Sequence, residues 1–327
     1  MPIKKHVVIG GFGFIGSNLV RTLSRNAKVL CIDDLSNSIS QELIEDINAS
    51  ENVTSLFRDI NDEEVWSEII EWCAKSEVDV WHLAANSDIR ASGMSPQIDF
   101  KKTFQTSVSV IELCDLLEVK NLIFASTSAV YGEPLNPFVP LSEESPCNPI
   151  SYYGAAKLAS EVFLNVLKNF SNVNHFYFRF ANIVGSPATH GLIFDVLNHI
   201  KAGKNPIPIL GNGDQLKTYI EVNALLSQMF EVLKSGKPGI YNLGPGDSGI
   251  SVKEIVMQIR EHAAPGSTVS FENTEAGWVG DVPKILLDTS KADRVIGSNA
   301  NTSWTAIHWA IHHICEQFNM EIRCDNL

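Results

Sequence analysis

The sequence predicts an α/β fold, with a doubly wound parallel sheet followed by a smaller, partly interleaved C-terminal lobe. Short runs rich in β-branched residues recur along roughly the first 180 residues, at intervals that suit βα units. Helical patterns fill the intervals between these runs. Nearly continuous apolar strands that alternate with helices are typical of a parallel sheet with both faces covered.

Each element follows from its local pattern. The first helix opens directly from a cluster of glycines, and in the helix that begins at Glu63 the apolar residues Val65, Ile69 and Cys73 recur at helical spacing. The predicted strands are His6–Gly10, Lys28–Asp33, Val53–Ile60, Asp79–Ala84, Asn121–Ser126 and Asn174–Phe180. The predicted helices are Ile15–Arg25, Glu63–Lys75, Phe100–Glu118 and Tyr153–Phe170.

After Phe180 the pattern becomes irregular, because prolines and glycines interrupt it. The elements predicted there are the helices Gly191–Ala202 and Val222–Lys234, the strand Gly239–Leu243 and a final helix near Trp304–Gln317. We therefore expect one domain over residues 1–182, with 218–243 rejoining it. The second lobe is expected to contain 183–217 and 244–327.

The chain is acidic, with 25 Lys and Arg against 38 Asp and Glu in 327 residues and a formal net charge of −13 at pH 7. Long-range repulsion of phosphates argues against nucleic acid or an anionic membrane as a partner. No run of about 18 apolar residues predicts a membrane span. The six cysteines are scattered without a CxxC pair, which is typical of reduced thiols, so we expect a soluble cytoplasmic protein.

A glycine-rich turn separates the first strand from the first helix. At Gly10, Gly13 and Gly16 the missing Cβ atoms let backbone N–H groups at the helix start approach a pyrophosphate. The next strand ends at Asp33, whose carboxylate can bind the ribose hydroxyls of NAD and would repel the 2′-phosphate of NADP. The pattern predicts a Rossmann-type domain that binds NAD. The alternative is a plain strand–turn–helix with an Asp that caps a helix.

A tyrosine and a lysine four residues apart predict a proton-transfer site. Tyr153 and Lys157 share one face of a predicted helix, and Thr127 follows a predicted strand at the edge where ligands bind in such sheets. Lowering the pKa of a tyrosine by about three units takes about 4 kcal/mol, which a lysine and an oxidised nicotinamide can supply together. The phenolate would then be a general base for hydride transfer from an alcohol. The alternative is a solvated lysine beside a half-buried tyrosine.

With these motifs the chain resembles the extended short-chain dehydrogenase/reductase family, and within it the NAD-dependent nucleotide-sugar epimerases and dehydratases. Further matching segments are Arg58–Ile60, His82–Ala85 and Arg179–Gly185. In the C-terminal lobe, Leu210–Gln215, Gly280–Pro283 and Asp288–Asp293 follow the pattern of the UDP-glucose 4-epimerase branch. The resemblance implies NAD as cofactor and a nucleotide-sugar as substrate.

The resemblance also implies the site residues. The catalytic set would be Thr127, Tyr153 and Lys157. Cofactor contacts would come from Gly10, Gly13, Phe14, Ile15, Gly16, Asp33, Asn37, Asp59, Ile60, Leu83, Ala84, Ala85, Tyr153 and Lys157. Substrate contacts would come from Asn182, Gln215, Lys217, Trp278 and Asp281, where Lys217 and Trp278 stand in place of two arginines of the family. His190, at the start of a helix in the lobe, is a candidate ligand contact or a surface cap.

The residues next to Thr127 narrow the reaction. Relatives that eliminate water carry Asp-Glu immediately after this hydroxyl, where this chain has Ser128 and Ala129. Decarboxylating relatives carry a Glu two residues before the Tyr-Gly, where this chain again has Ala129. What remains is epimerisation, most often at C4 through a transient 4-ketosugar, or net oxidation by a dehydrogenase that releases the 4-keto nucleotide-sugar. A third hypothesis is a non-catalytic NAD-binding sensor. We expect a homodimer through the two long helices, and no metal at His308 and His312, which have no evident third ligand.

Overall fold

The computed structural model describes residues 4–74, 76–88, 93, 95–278, 280–297 and 301–321. Its strands are β1 (Lys5–Ile9), β2 (Lys28–Ile32), β3 (Val53–Leu56), β4 (Val78–His82), β5 (Val119–Thr127), β6 (Asn174–Phe180), β7 (Asn182–Val184), β8 (Ile207–Ile209), β9 (Leu216–Lys217), β10 (Tyr219–Glu221), β11 (Gly239–Leu243), β12 (Ile250–Ser251), β13 (Val269–Phe271) and β14 (Lys284–Ile285). Its helices are α1 (Phe14–Leu23), α2 (Gln41–Asn48), α3 (Glu64–Cys73), α4 (Pro96–Asp99), α5 (Thr106–Leu116), α6 (Tyr152–Leu167), α7 (Leu192–Lys201), α8 (Val222–Lys234), α9 (Val252–Ala263), α10 (Ser290–Ile296) and α11 (Ser303–Gln317). Lys75, the predicted end of the helix that begins at Glu63, lies outside the described residues.

The largest sheet has seven strands in the order β11-β6-β5-β4-β1-β2-β3. The pairs formed by β1 with β2, β1 with β4, β2 with β3 and β4 with β5 are parallel. Ile9 lies opposite both Ile32 and His82, so the turns that follow β1, β2 and β4 emerge at one edge of the sheet. Ligands of such sheets bind at this edge, where the strand order reverses. The predicted doubly wound α/β fold is confirmed.

The sheet is buried because its strands carry apolar side chains on both faces. Val7, Leu30 and Val80 are fully buried, and they belong to one core cluster with residues of α3, α5 and α6. Another core cluster contains residues of α7, α9 and α11, and Ile255 and Ile311 are among its fully buried members. Each cluster is the hydrophobic centre of one of two units.

The long helix predicted over Phe100–Glu118 is interrupted. It is preceded by α4, continues as a π-helical segment (Phe100–Gln105), and becomes α-helical only from Thr106. The hydroxyl of Thr106 donates to the carbonyls of Lys101 and Lys102 at 3.3 and 3.1 Å. Such side-chain bonds compete with the regular backbone pattern and accompany helical irregularities. Asp99 and Thr103, which are discussed below, lie in this interrupted stretch.

Among the described residues, four helices were missed by the sequence reasoning: α2, α4, α9 and α10. Helix α9 carried a usable signal, because Ser251 and Glu254 form a capping box. The backbone N–H of Ser251 donates to Glu254 at 2.8 Å, and the N–H of Glu254 donates to the Ser251 hydroxyl at 3.2 Å.

The chain divides into two compact units whose boundaries differ from the predicted ones. The first contains residues 1–130, 151–179 and 236–241, and the second contains 131–150, 180–235 and 242–327. Segment 131–150 belongs to the second unit because Leu141 exchanges backbone hydrogen bonds of 2.9 Å with Leu286 and Asp288. Helix α8, predicted to rejoin the sheet, also lies in the second unit. No helix in the described ranges is long and apolar enough to cross a bilayer.

Candidate active site

The glycine-rich turn after β1 has no room for side chains at two positions. Gly10 has φ +82°, and a Cβ atom there would lie 2.6 Å from the backbone nitrogen of Ala84. A Cβ atom on Gly16 would overlap the carbonyl oxygen of Gly10 and lie 2.8 Å from the Cα of Gly11. Gly13 is the N-cap of α1. The turn therefore presents the free N–H groups of Phe14, Ile15 and Gly16 as an anion site.

Asp33 ties this turn to the end of β2. Its carboxylate accepts hydrogen bonds of 2.8 Å from the backbone N–H groups of Phe12 and Leu35. Burial raises the pKa of Asp33, while the two backbone bonds oppose this. Asp33 thus directly follows β2 and contacts the glycine turn, and its contact with the ribose stays a prediction. Asn37 follows in the same loop, and its side-chain amide donates to the hydroxyl of Ser87.

The other predicted cofactor residues follow β3 and β4. The backbone N–H groups of Leu83 and Ala84 both donate to the carbonyl of Ile9 at 2.9 Å, which holds the segment Leu83–Ala85 against the glycine turn. Asp59 accepts a bond from the N–H of Asn61 at 2.9 Å, and Ile60 is buried. The glycine turn, Asp33 and these segments make a cradle that fits a dinucleotide, because its donors, its carboxylate and its missing Cβ atoms all match the ligand's parts.

Tyr153, Lys157 and Thr127 come together in the first unit. Ser151 caps α6 by accepting a bond from the N–H of Gly154 at 3.1 Å, and this fixes the first turn of the helix that carries the tyrosine. The ammonium of Lys157 donates to the carbonyl of Ala125 at 2.7 Å, which fastens α6 to β5. Thr127, the last residue of β5, hydrogen-bonds Tyr153.

Burial controls the protonation of this pair. It lowers the pKa of Lys157 to about 7, while the charges of Glu161 and Asp99 act in the opposite direction. It also raises the pKa of Tyr153; Asp99 adds to that increase and the bond with Thr127 reduces it. The chain alone therefore keeps the phenol protonated. A positive charge added beside the phenol would favour the phenolate.

A buried ion pair supports the same helix. Both oxygens of Glu161 accept bonds from Arg179, at 3.0 Å from Nε and 2.7 Å from Nη2, and the hydroxyl of Ser126 also donates to Glu161. The carboxylate thus links α6 to β5 and β6 one turn after Lys157. His82, at the end of β4, is fully buried and 2.8 Å from the hydroxyl of Ser107. Burial holds its pKa well below the usual value, so the imidazole is neutral.

In the second unit, four predicted substrate residues form one cluster. The ammonium of Lys217 lies 2.5 Å from Asp281 Oδ1 and 5.4 Å from the centre of the Trp278 ring. The other oxygen of Asp281 accepts a bond from the N–H of Gly277 at 3.1 Å. Trp278 Nε1 and Gln215 Oε1 are enclosed and have no partner in the described chain. A buried donor and acceptor left without partners indicate that water or a ligand completes the cluster.

The remaining two predicted substrate residues lie outside this cluster of Gln215, Lys217, Trp278 and Asp281. Asn182 begins β7, which pairs with β10, and its side-chain amide donates to the carbonyl of Thr218 at 3.2 Å. His190 is exposed and precedes Gly191, the N-cap of α7. The structure therefore places Asn182 one strand away from the cluster and leaves His190 at the surface.

The histidines of the final helix have a third neighbour that the sequence did not reveal. His262 of α9 packs against His308 and His312 of α11, with ring centres 4.5 to 5.7 Å apart. Burial and the neighbouring imidazoles lower the pKa of both His308 and His312. No group of three or more metal-ligating side chains within the described ranges is arranged to hold a metal ion.

Two functional candidates were missed by sequence reasoning. Glu161 follows Lys157 by four residues, as Lys157 follows Tyr153, so the sequence could have predicted that Glu161 lies on the same face of the helix. Asp99 carried no such signal, because an Asp near the start of a helix is ordinarily interpreted as favourable charge in the first turn. The packing of α4 against α6 brings it to the helix that carries Tyr153 and Lys157.

The sheet, the glycine turn and the cradle define a class: α/β enzymes of the Rossmann type that use a dinucleotide. The model of the NAD dependent epimerase/dehydratase family matches residues 6–244. The chain belongs to this family and is an NAD-dependent enzyme, as its motifs predicted.

Individual relatives are similar over almost the full chain. UDP-arabinose 4-epimerase 1 of Arabidopsis thaliana is 29% identical, with 94% of this chain and 77% of the relative covered. Among solved structures, a UDP-N-acetylglucosamine 4-epimerase from Methanobrevibacter ruminantium M1 has a TM-score of 0.83 at 26% identity, covering 97% of this chain and 100% of that one. A Thermus thermophilus UDP-glucose 4-epimerase in complex with NAD has a TM-score of 0.80 at 26% identity, covering 94% of this chain and 98% of that one.

Proposed function

We propose that the protein is a nucleotide-sugar 4-epimerase, which inverts C4 through a transient 4-ketosugar. The observation that carries the proposal is the joint placement of Tyr153, Lys157 and Thr127 at the carboxyl end of β5. Ser128 and Ala129 follow this hydroxyl and provide no acid–base pair for the loss of water. Relatives described as 4-epimerases of UDP-sugars support the choice of reaction.

The chain supplies proton transfer and orientation. Tyr153 takes the proton of the substrate's 4-hydroxyl and later returns it, while Thr127 donates a hydrogen bond to the same oxygen. Lys157, anchored on Ala125, holds its ammonium beside the phenol. Bound NAD supplies the hydride acceptor and donor. For both epimers to form, the ketosugar must present its opposite face before the hydride returns.

The cofactor contacts remain assigned as the sequence predicts them. The N–H groups of Phe14, Ile15 and Gly16 would hold the pyrophosphate, and Asp33 would hold the adenosine ribose. The backbone bonds that Asp33 accepts orient its carboxylate before the cofactor binds, and such preorganisation reduces the entropic cost of binding.

The nucleotide part of the substrate is assigned to residues of the second unit. Lys217 would face the diphosphate as a point charge, since Lys lacks the two-pronged geometry of Arg. The indole N–H of Trp278 and the side-chain oxygen of Gln215 are unpartnered within the described chain and would bind polar atoms of the ligand. Asp281 neutralises Lys217, so the cluster offers less positive charge than two arginines would. Asn182 and His190 are the remaining candidates.

Replacing Lys217 by Met should raise KM for a nucleotide-sugar about 10- to 100-fold with little change in kcat. The reason is that a charge-assisted contact far from the reacting carbon, worth about 1.5–3 kcal/mol, stabilises substrate and transition state equally. Steady-state kinetics measures the change. The double variant Lys217→Met/Asp281→Asn also removes the carboxylate left unpaired, and Lys234→Met on α8 is an exposed control. If KM stays unchanged in both Lys217 variants, the assignment of Lys217 is wrong.

The test of the proposed function is incubation of the purified protein with a panel of UDP-, GDP-, dTDP- and CDP-sugars. Product NMR and nicotinamide absorbance are followed together. A C4 epimer without net reduction of the nicotinamide supports the proposal. A ketone product with stoichiometric reduction identifies the alternative dehydrogenase, and bound NAD without any reaction across the panel identifies a non-catalytic sensor.

The same protein is proposed to be a homodimer, formed through α5 and α6. Large apolar side chains along these helices and next to them are about half exposed or more: Phe100, Leu116, Val162, Phe163, Val166 and Phe170. Phe104 of the π-helical segment before α5 packs edge to face on Phe163 of α6 at 4.9 Å, so the side chains of the two elements form one apolar surface. A second copy of the chain would cover this surface with an identical one.

The variant Phe163→Glu should separate the dimer. A two-fold interface contains the position twice, so a loss of about 2 kcal/mol at each copy weakens association by about 4 kcal/mol, or about 1,000-fold. Sedimentation velocity measures the association of the two copies. Leu135→Glu introduces the same charge at a fully exposed apolar position and should leave the mass unchanged. A wild-type protein that sediments as a monomer at all concentrations would refute the dimer.

We propose that the protein acts in the cytoplasm, and its cysteines and its charge support this proposal. Cys31, Cys73, Cys114 and Cys315 form no disulfide within the described residues, and Cys324 lies outside them. Unpaired thiols favour a reducing cytoplasm. With its net charge of −13, the protein is proposed to act on a small-molecule substrate and to bind neither nucleic acid nor membrane.

A further inference from the structure

A buried carboxylate next to the proposed reaction site has no assigned role. Asp99 is 1% exposed, and its helix α4 packs against α6, which carries Tyr153 and Lys157. Oxygen Oδ1 accepts bonds from Asn86 Nδ2 at 3.2 Å and Thr103 Oγ1 at 3.3 Å. Oxygen Oδ2 is enclosed without a partner among the described residues. Burying an unpartnered carboxylate oxygen costs stability, so this arrangement indicates a function.

Two carboxylates act on Lys157, and they differ in their own partners. Glu161 is neutralised by its two-point ion pair with Arg179. Asp99 has uncharged hydrogen-bond partners only, within the part of the chain that is described. Both raise the pKa of Lys157 against the effect of burial, and Asp99 also raises the pKa of Tyr153. Asp99 therefore favours the protonated form of both catalytic groups.

We propose that Asp99 is a positioning residue whose charge sets the pH range in which Tyr153 and Lys157 work as a pair. It keeps the buried ammonium charged, and it holds the phenol proton until the oxidised cofactor adds positive charge beside it. The inference rests on the proposed function, because it concerns the same two groups. It adds a residue that the family resemblance did not imply.

Within the described ranges, the other titratable groups that face this site lie on α6 and at the end of β4. From α6 they are Tyr153, Lys157 and Glu161. From the end of β4 there is His82, which burial and the charge of Lys157 keep neutral. Asn86 and Thr103, which donate hydrogen bonds to Asp99, are uncharged. The charge of Asp99 can therefore be removed while the Glu161–Arg179 ion pair stays intact.

The test is the pH dependence of kcat/KM in Asp99→Asn, which keeps the shape and one acceptor oxygen but removes the charge. Without the carboxylate the pKa values of Tyr153 and Lys157 both fall. The acid limb, which requires the phenolate, and the basic limb, which requires the ammonium, should therefore both move to lower pH by about one unit. A purely structural defect would lower the profile without moving either limb.

A second readout does not depend on turnover. In lysine-labelled protein without substrate, the carbon-13 shift of Lys157 Cε, assigned with Lys157→Arg, should titrate about one pH unit lower in Asp99→Asn than in wild type. Asp99→Glu should restore the wild-type midpoint. Asp99→Ser removes the same charge with less volume and replaces Asp99→Asn if that variant does not fold.

Asp79→Asn is the matched control for the loss of a buried carboxylate. Asp79 is 2% exposed, lies in β4 and pairs with Lys4 at 2.7 Å. Its loss should lower stability and move neither limb. Unshifted limbs and an unshifted Lys157 titration in both neutral Asp99 variants would overturn the proposal. If Tyr153→Phe left turnover intact, the proposed function would fail, and the Lys157 titration would still decide the effect of Asp99.

Discussion

Replacing Tyr153 by Phe should reduce epimerisation about 1,000-fold while NAD remains bound. The variant removes one oxygen atom, the only atom of this side chain that can take and return the substrate proton, and general acid–base catalysis contributes on the order of 10²–10⁴-fold. The ring itself stays, so the packing of α6 against β5 should persist. The measurement is single-turnover and steady-state epimerisation of the substrate found in the panel.

The adjacent Tyr152 provides a matched control. It is 50% exposed, it loses the same oxygen in Tyr152→Phe, and it lies one residue away on the same helix. We expect the turnover of Tyr152→Phe to stay within about twofold of wild type, because the substitution lies at the surface and away from the reacting groups. Equal activities of Tyr153→Phe and Tyr152→Phe would contradict the proposed role of Tyr153.

The sequence predicted the part of the site that local patterns encode. The glycine turn, Asp33 and the pair Tyr153–Lys157 each lie within a few residues of one strand end or one helix turn. Their placement therefore follows once the strands are ordered in a parallel sheet. The strand boundaries shifted by only a few residues; β3, for example, ends at Leu56 before the Asp59 turn begins.

What the sequence could not predict depends on contacts between distant segments. The effect of Asp99 on Lys157 arises because α4 packs on α6, and the π-helical segment that follows α4 has no clear sequence signal. Likewise, Lys217 and Asp281 are 64 residues apart in the sequence, and only the structure shows that their side chains form an ion pair. The positive charge of Lys217, which was expected to face the substrate, is thus partly neutralised by Asp281. Residue identity alone does not reveal this neutralisation.

The steric argument at the glycine turn leads to a prediction with a large effect on both folding and cofactor binding. In Gly16→Ala the added methyl group meets backbone atoms of Gly10 and Gly11, which cannot rotate away as a flexible side chain can. We expect a loss of about 3 kcal/mol in the free energy of unfolding without cofactor, at the upper end of the usual cost of overpacking. The affinity for NAD should fall about 100-fold as the turn shifts.

Gly13→Ala tests whether the space at each position, and not the loss of glycine itself, decides the outcome. Gly13 has φ −72°, and a Cβ there would meet only the Gly10 carbonyl oxygen, at 3.6 Å, an ordinary van der Waals contact. Its stability should therefore stay within about 1 kcal/mol of wild type, because alanine adopts this conformation without strain. Chemical denaturation and NAD titration measure both variants. If both lose stability equally, the close packing of α1 against the turn does not explain the glycine at position 16.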